Sequence, residues 1–132
     1  MVFTGRRTDS VHKAEKEYKD KFPDVEITGY HIDSLIDERT VNEDAVKEIF
    51  EDLDSKGVFI ETLVLNAADQ GLGMKMFYSP VEDFMKVLNT NVTWNYCLCE
   101  AAASRMKKNG GGNIVFINSN IIGPVTFYKL II

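Results

Sequence analysis

The sequence predicts an α/β fold built on a parallel sheet. Short β-prone runs alternate with amphipathic helical stretches, and one apolar run, Ile60-Glu61-Thr62-Leu63-Val64-Leu65-Asn66-Ala67-Ala68, ends abruptly in Asn and two small residues. Parallel neighbours cannot be joined by a tight turn and need a crossover, usually helical, so alternation of the two element types is their signature. The run ending at Asn66 lies between Gly57 and Gly71 and reads as a strand buried on both faces. Open α/β sheets bind ligands outside the carboxyl ends of their strands, and small residues there let a ligand approach the backbone. Asn66 and Ala67 therefore stand at the lip of a candidate crevice.

The remaining elements follow in order. Val2-Phe3-Thr4 is a short first strand, and Gly5-Arg6-Arg7 turns out of it. From about Ser10 to Lys21 the residues Val11, Ala14, Tyr18 and Phe22 form one apolar stripe among Lys and Glu, which predicts a helix closed by Pro23. Val25 to Ile32 alternates and is partly β-branched, hence a second strand ending at Asp33. Asn42 is the N-cap of the next helix, with Val46, Ile49, Phe50 and Leu53 on its inner face and Glu43 and Asp44 complementing the dipole. After the strand ending at Asn66, Ser79-Pro80-Val81-Glu82 marks a helix start with Pro at the first helical position. One long helix is expected from there to Asn109, with Phe84, Val87, Leu88, Asn91, Val92, Asn95, Leu98, Ala102 and Met106 on one broad face. The glycines from Gly110 stop it, and Asn113 to Ile117 is the fourth strand. Val125 to Ile132 is a last apolar, β-like tail. The expected architecture is a single domain, residues 1–132, with about four parallel strands in a three-layer, Rossmann-like sheet plus that tail.

Composition narrows the function classes. Fifteen basic and twenty acidic residues give a net charge of −5, with the acids spread along helices, which disfavours nucleic acid or an anionic membrane surface as partner. The sequence has no apolar run of the length needed to span a bilayer and no signal-peptide pattern, so a cytoplasmic protein is expected. Cys97 and Cys99, two apart on a helix, suit neither a mutual disulfide nor a metal clamp and read as small buried apolar residues. His12 and His31 lack partners at a ligand spacing and read as solvated or satisfied histidines, so no metal site is expected. The Asn91-Val92-Thr93 sequon carries little weight without a secretory signal.

Five features in order resemble the middle of a short-chain dehydrogenase/reductase. Gly5-Arg6-Arg7 resembles the turn after that family's second strand, Asp33 its acidic residue after the third, and Leu65-Asn66-Ala67-Ala68 its Asn-Asn-Ala-Gly motif. Asn91 matches the helix asparagine of the catalytic tetrad, and Ile117-Asn118-Ser119 matches the Ile-Ser-Ser whose second serine is catalytic. Ala68, Leu65 and Trp94 depart from the motifs. The resemblance spans Val2 to about Gly123 and implies hydride transfer between a nicotinamide and a carbonyl or alcohol of a small-molecule substrate. It makes Ser119 and Asn91 the catalytic candidates. Arg6, Arg7, Asp33, Asn66 and Ala67 become the cofactor-binding candidates, with NADP favoured by the two cations, NAD possible, and a homo-oligomer expected.

Two parts of the family pattern are absent. The Gly-rich turn that cradles the pyrophosphate with backbone N–H groups does not occur before Val2. The thirteen residues after Ser119 contain Tyr128 directly before Lys129 rather than a Tyr-x-x-x-Lys pair, in which the lysine would lower the tyrosine pKa. Adjacent residues do not share a face of a helix or strand, so this pair is a poor substitute. The chain is therefore expected to be a truncated, inactive part of such an enzyme, with cofactor binding weakened or lost.

Each candidate also has a structural reading. Arg6 and Arg7 could be solvated charges, Asp33 could close a turn, and Asn66 could hold neighbouring backbone. Asn91 and Asn95 could satisfy buried polar groups, and Ser119 could end its strand. A non-catalytic α/β domain that binds a nucleotide or flavin, or associates with itself, is the alternative function.

Overall fold

The computed structural model describes residues 1–71 and 78–118. The chain divides into two compact units, Met1–Ser34 and Leu35–Ile132.

The first unit is a β-α-β motif. Strand β1 (Val2–Gly5) and strand β2 (Thr28–His31) pair in parallel, with Val2 opposite Thr28 and Gly5 opposite His31, and helix α1 (Thr8–Lys21) connects them. Val11 is the residue of α1 that is buried, and it packs where two glycines make room. A Cβ on Gly29 would come within 2.8 Å of both Val11 Cγ1 and Phe3 Cζ, and one on Gly5 within 2.7 Å of Val11 Cγ2. The close approach of helix to strands therefore requires glycine at both positions. Phe3 and Tyr18 meet edge to face, with ring centroids 5.5 Å apart. The second strand is shorter than the expected Val25 to Ile32, because Pro23 and the Val25 N–H bond to the Phe22 carbonyl keep the approach in a turn.

The second unit opens with a small antiparallel hairpin, β3 (Leu35–Asp37) and β4 (Thr40–Val41), which the sequence reading did not anticipate. It is held by the Asp37 carboxylate, which accepts the Arg39 N–H at 2.8 Å in a local side-chain turn. Helix α2 (Glu43–Ser55) starts as expected: Asn42 Oδ1 accepts the Ala45 N–H at 3.3 Å, and Val46, Phe50 and Leu53 are buried. Strands β5 (Thr62–Leu65) and β6 (Asn113–Phe116) pair in parallel, Thr62 opposite Asn113 and Leu65 opposite Phe116. Four parallel strands are thus present as two pairs, in keeping with the expected α/β class. The expectation that the Asn66 run is buried on both faces is not met, since Leu65 is buried while Val64 is 54% exposed. Alternation along the strand turns Leu63 and Leu65 one way and Thr62 and Val64 the other.

The expected long helix is interrupted. Helix α3 (Val81–Leu88) passes through a π-helical turn (Asn89–Thr93) into helix α4 (Trp94–Lys108). Pro80 lies just before the first helical residue rather than at it, and its carbonyl accepts the Asp83 N–H. The wider turn takes one residue more than an α-helical turn, so the apolar faces of α3 and α4 do not run on in one phase, and Val87 is buried on the first as Ala102 and Met106 are on the second. Asn89 and Trp94 become buried, whereas Phe84, Leu88 and Val92, expected on the inner face, are exposed. After the turn Ala102 and Met106 are buried as expected, and Gly110 and Gly111, with φ of 90° and 125°, end α4 in the left-handed region. Among the described residues no helix is long and apolar enough to cross a membrane. The tail from Val125 to Ile132 lies outside the described residues.

Candidate functional site

In the first unit the candidates gather at the carboxyl ends of β1 and β2. Gly5 and His31 are register partners, Arg6 and Arg7 follow Gly5 directly, and Asp33 lies two residues beyond His31. Both arginines are exposed. Arg7 is the N-cap of α1 in extended conformation, φ −117° and ψ 118°, and no side chain caps the helix. The first-turn N–H groups of α1 and two guanidiniums thus share one strand end, a combination suited to an anion. His31 Nε2 lies 3.1 Å from the Arg6 carbonyl oxygen. A carbonyl only accepts, so Nε2 is the donor in this bond.

In the second unit the candidates gather beyond β5 and on the π-turn. Asn66 and Ala67 are exposed in the residues that immediately follow Leu65. Asn91 sits within the π-turn, and its carboxamide pairs with the main chain of Asp69 as one peptide pairs with another. The Asp69 N–H donates to Asn91 Oδ1 at 2.8 Å, and Asn91 Nδ2 donates to the Asp69 carbonyl at 2.9 Å. Asn95 Nδ2 donates to the Asn91 carbonyl at 2.8 Å, and the Asp69 carboxylate accepts the Gly71 N–H at 2.9 Å. Both ends of the Asn91 amide are therefore committed to holding the loop after β5.

Sequence reasoning missed Asn89. It is 6% exposed, the buried polar residue among those described, and its side chain spans two elements. Thr93 Oγ1 donates to Asn89 Oδ1 at 3.2 Å, and Asn89 Nδ2 donates to the Glu38 carbonyl in the hairpin at 3.4 Å. Arg39 of the same hairpin pairs with Glu82 at the start of α3 and holds the Glu82 carboxyl below its ordinary range. The run Asn89-Thr90-Asn91-Val92-Thr93 carried the signal, since its short polar and β-branched side chains are poor helix interiors and bond local backbone instead.

A cleft of about 220 Å³ lies before β5, lined by Phe50, Leu53, Phe59, Ala102 and Arg105 among others. It holds none of the predicted site residues. Arg105 forks onto the Asp54 carboxylate at 2.8 to 3.1 Å and lies over the Phe50 ring, 4.9 Å from its centroid. That guanidinium holds the Asp54 carboxyl below the usual range. Burial pushes both the Cys97 and Cys99 thiols up, with Glu43 and Glu100 adding to the effect at Cys97. Among the described residues no group of three or more His, Cys, Asp or Glu is arranged to hold a metal ion. Ser119 lies outside the described residues.

A family model described as short chain dehydrogenase matches residues 1–128. The chain belongs to this family. A 3alpha-hydroxysteroid dehydrogenase of Mediterraneibacter gnavus (strain ATCC 29149) is 31% identical to this chain over 117 residues, 89% of the chain and 44% of that protein. NAD+-bound xylitol dehydrogenase is 27% identical with a TM-score of 0.74, over 93% of this chain and 45% of that one. L-Sorbose reductase from Gluconobacter frateurii, solved with NADPH and L-sorbose, is 22% identical with a TM-score of 0.79, covering 97% and 46%, a likeness of fold. The chain thus spans less than half the length of each of these relatives.

Proposed function

We propose that this chain is part of an NADP-preferring oxidoreductase that transfers hydride between the nicotinamide and a carbonyl or alcohol of a small molecule. Family membership supports the reaction class. The observation that carries the cofactor choice is the pair of exposed guanidiniums, Arg6 and Arg7, at the strand end where α1 begins without a side-chain cap. A 2′-phosphate offers them charge-assisted bonds that a 2′-hydroxyl does not. Asp33 is assigned to the adenine, Asn66 and Ala67 to the cofactor's passage over β5, and Asn91 and Ser119 to the reaction centre. Solved relatives bind both NADPH and NAD+, so a nicotinamide dinucleotide suits the fold in either form.

As an isolated polypeptide the 132-residue chain is expected not to turn over, because it contains no Tyr-x-x-x-Lys pair and so no activated tyrosine to exchange a proton with the substrate oxygen. The test is a spectrophotometric assay of the purified chain with NADPH and a panel of ketones. Absence of turnover is expected; turnover abolished by Ser119→Ala would refute this part of the proposal.

Self-association is supported by a separate observation. Val81, Phe84, Leu88, Val92 and Tyr96 are all exposed along α3, the π-turn and α4, an apolar stripe that a second copy would cover. Light scattering should report an oligomer that Phe84→Glu weakens. A monomer at all concentrations would exclude it.

A further inference from the structure

The link between β1 and α1 is fixed by three consecutive carbonyls, each bound from a different source. The Gly5 carbonyl accepts the Ile32 N–H at 3.0 Å, and the Arg7 carbonyl accepts the Val11 N–H at 3.0 Å, the first bond of the helix. Between them the Arg6 carbonyl is bound by a side chain, His31 Nε2 at 3.1 Å. Gly29, two residues before His31, faces Val11 of α1, so alternation along β2 turns the His31 side chain toward the helix as well. Its ring therefore meets the link at the α1 N-terminus, where Arg6 and Arg7 emerge.

We propose that His31 is a positioning residue for cofactor choice: its Nε2–H pins the Arg6 carbonyl and so sets the direction in which Arg6 and Arg7 present their guanidiniums to a 2′-phosphate. The inference rests on the NADP reading above and adds the residue that orients the two cations. Bidentate recognition of a phosphate depends on the direction of the guanidinium fork, so freeing the Arg6 carbonyl weakens phosphate binding without removing a charge. A contact to the 2′-hydroxyl or to adenine does not depend on that fork.

The test uses the whole 132-residue chain and two probes, 2′-AMP and 5′-AMP, titrated while amide NMR shifts are followed. His31→Ala removes the donor, His31→Gln restores an amide donor of similar reach, and Arg6→Ala removes the first cation. Binding of 2′-AMP is expected to weaken about fivefold in His31→Ala, the loss of one ordinary hydrogen bond, and to recover in His31→Gln. Binding of 5′-AMP is expected to stay level in both. Unchanged 2′-AMP binding in His31→Ala, no recovery in His31→Gln, or equal weakening of both probes would overturn the inference while leaving the NADP reading intact. Binding of 2′-AMP no tighter than 5′-AMP and insensitive to Arg6→Ala would remove the NADP reading, and the inference with it.

Discussion

Replacing Asn91 by alanine isolates the contribution of its amide to the π-turn and the loop after β5. The substitution deletes two near-ideal hydrogen bonds, the Asp69 N–H to Oδ1 at 2.8 Å and Nδ2 to the Asp69 carbonyl at 2.9 Å. Each is part-buried, and a net hydrogen bond contributes about 0.5–1.5 kcal/mol, so the pair is worth about 1–3 kcal/mol. Part-burial leaves water a route to the freed Asp69 groups, which places the expectation toward the lower half of that range. Asn91→Asp is a sharper perturbation. Its carboxylate can still accept the Asp69 N–H but opposes the Asp69 carbonyl with a second acceptor, so it should destabilise by at least as much as Ala near neutral pH. Urea denaturation followed by circular dichroism measures the loss, and amide hydrogen exchange at Asp69 localises it. A change under about 0.3 kcal/mol in Asn91→Ala, with Asp69 exchange unaltered, would refute the two-point pairing as the clamp on this loop.

Three further outcomes are expected. Leu53→Ala, in the buried face of α2, should cost about 2–5 kcal/mol by denaturant titration, whereas truncation of exposed Ile36 in β3 should fall within about 0.5 kcal/mol. The Asp37, Asp54 and Glu82 carboxyls are all lowered, Asp37 first by the Arg39 N–H, Asp54 by Arg105 and Glu82 by Arg39, so the stability they contribute is present above the ordinary carboxylate range. That stability is lost as pH falls through their depressed folded values, and Asp54→Asn should flatten the acid limb of a stability-against-pH curve; an unchanged limb would contradict the assignment. Alkylation by iodoacetamide at neutral pH should be slower at Cys97 and Cys99 than at an unhindered thiol, because burial raises both thiols and lowers the thiolate fraction.

The sequence carried most of the element order because periodicity and capping are local. Asn42 capped α2 as its chemistry demanded, and Val46, Phe50 and Leu53 went inside as their spacing demanded. Departures came where a local rule met a competing contact. The hairpin from Leu35 to Val41 has no strong turn pair and is stabilised by the Asp37 side chain and by bonds from Arg39 and Asn89 to residues far along the chain, which no local pattern encodes. One uniform period places a single apolar stripe from Phe84 to Met106, and the π-turn breaks it: Val87, Ala102 and Met106 are buried as that period requires, Asn89 and Trp94 are buried beside them, and Phe84, Leu88 and Val92 are exposed. Of the candidate site, Arg6, Arg7 and Asn91 were legible from their positions relative to strand ends and helix. His31 and Asn89 were not, because a lone His or Asn gains meaning only when the fold supplies its partner, here the Arg6 carbonyl and Thr93 with Glu38.

Calorimetric titration of the chain with NADPH and with NADH, side by side with Arg6→Ala, tests the central claim most directly. The account predicts that the dinucleotide affinity the chain retains is greater for NADPH, with the preference reduced in Arg6→Ala by a loss of about 1.5–3 kcal/mol, the worth of a hydrogen bond to a charged group. Equal or tighter binding of NADH, or an NADPH affinity untouched by Arg6→Ala, would contradict it.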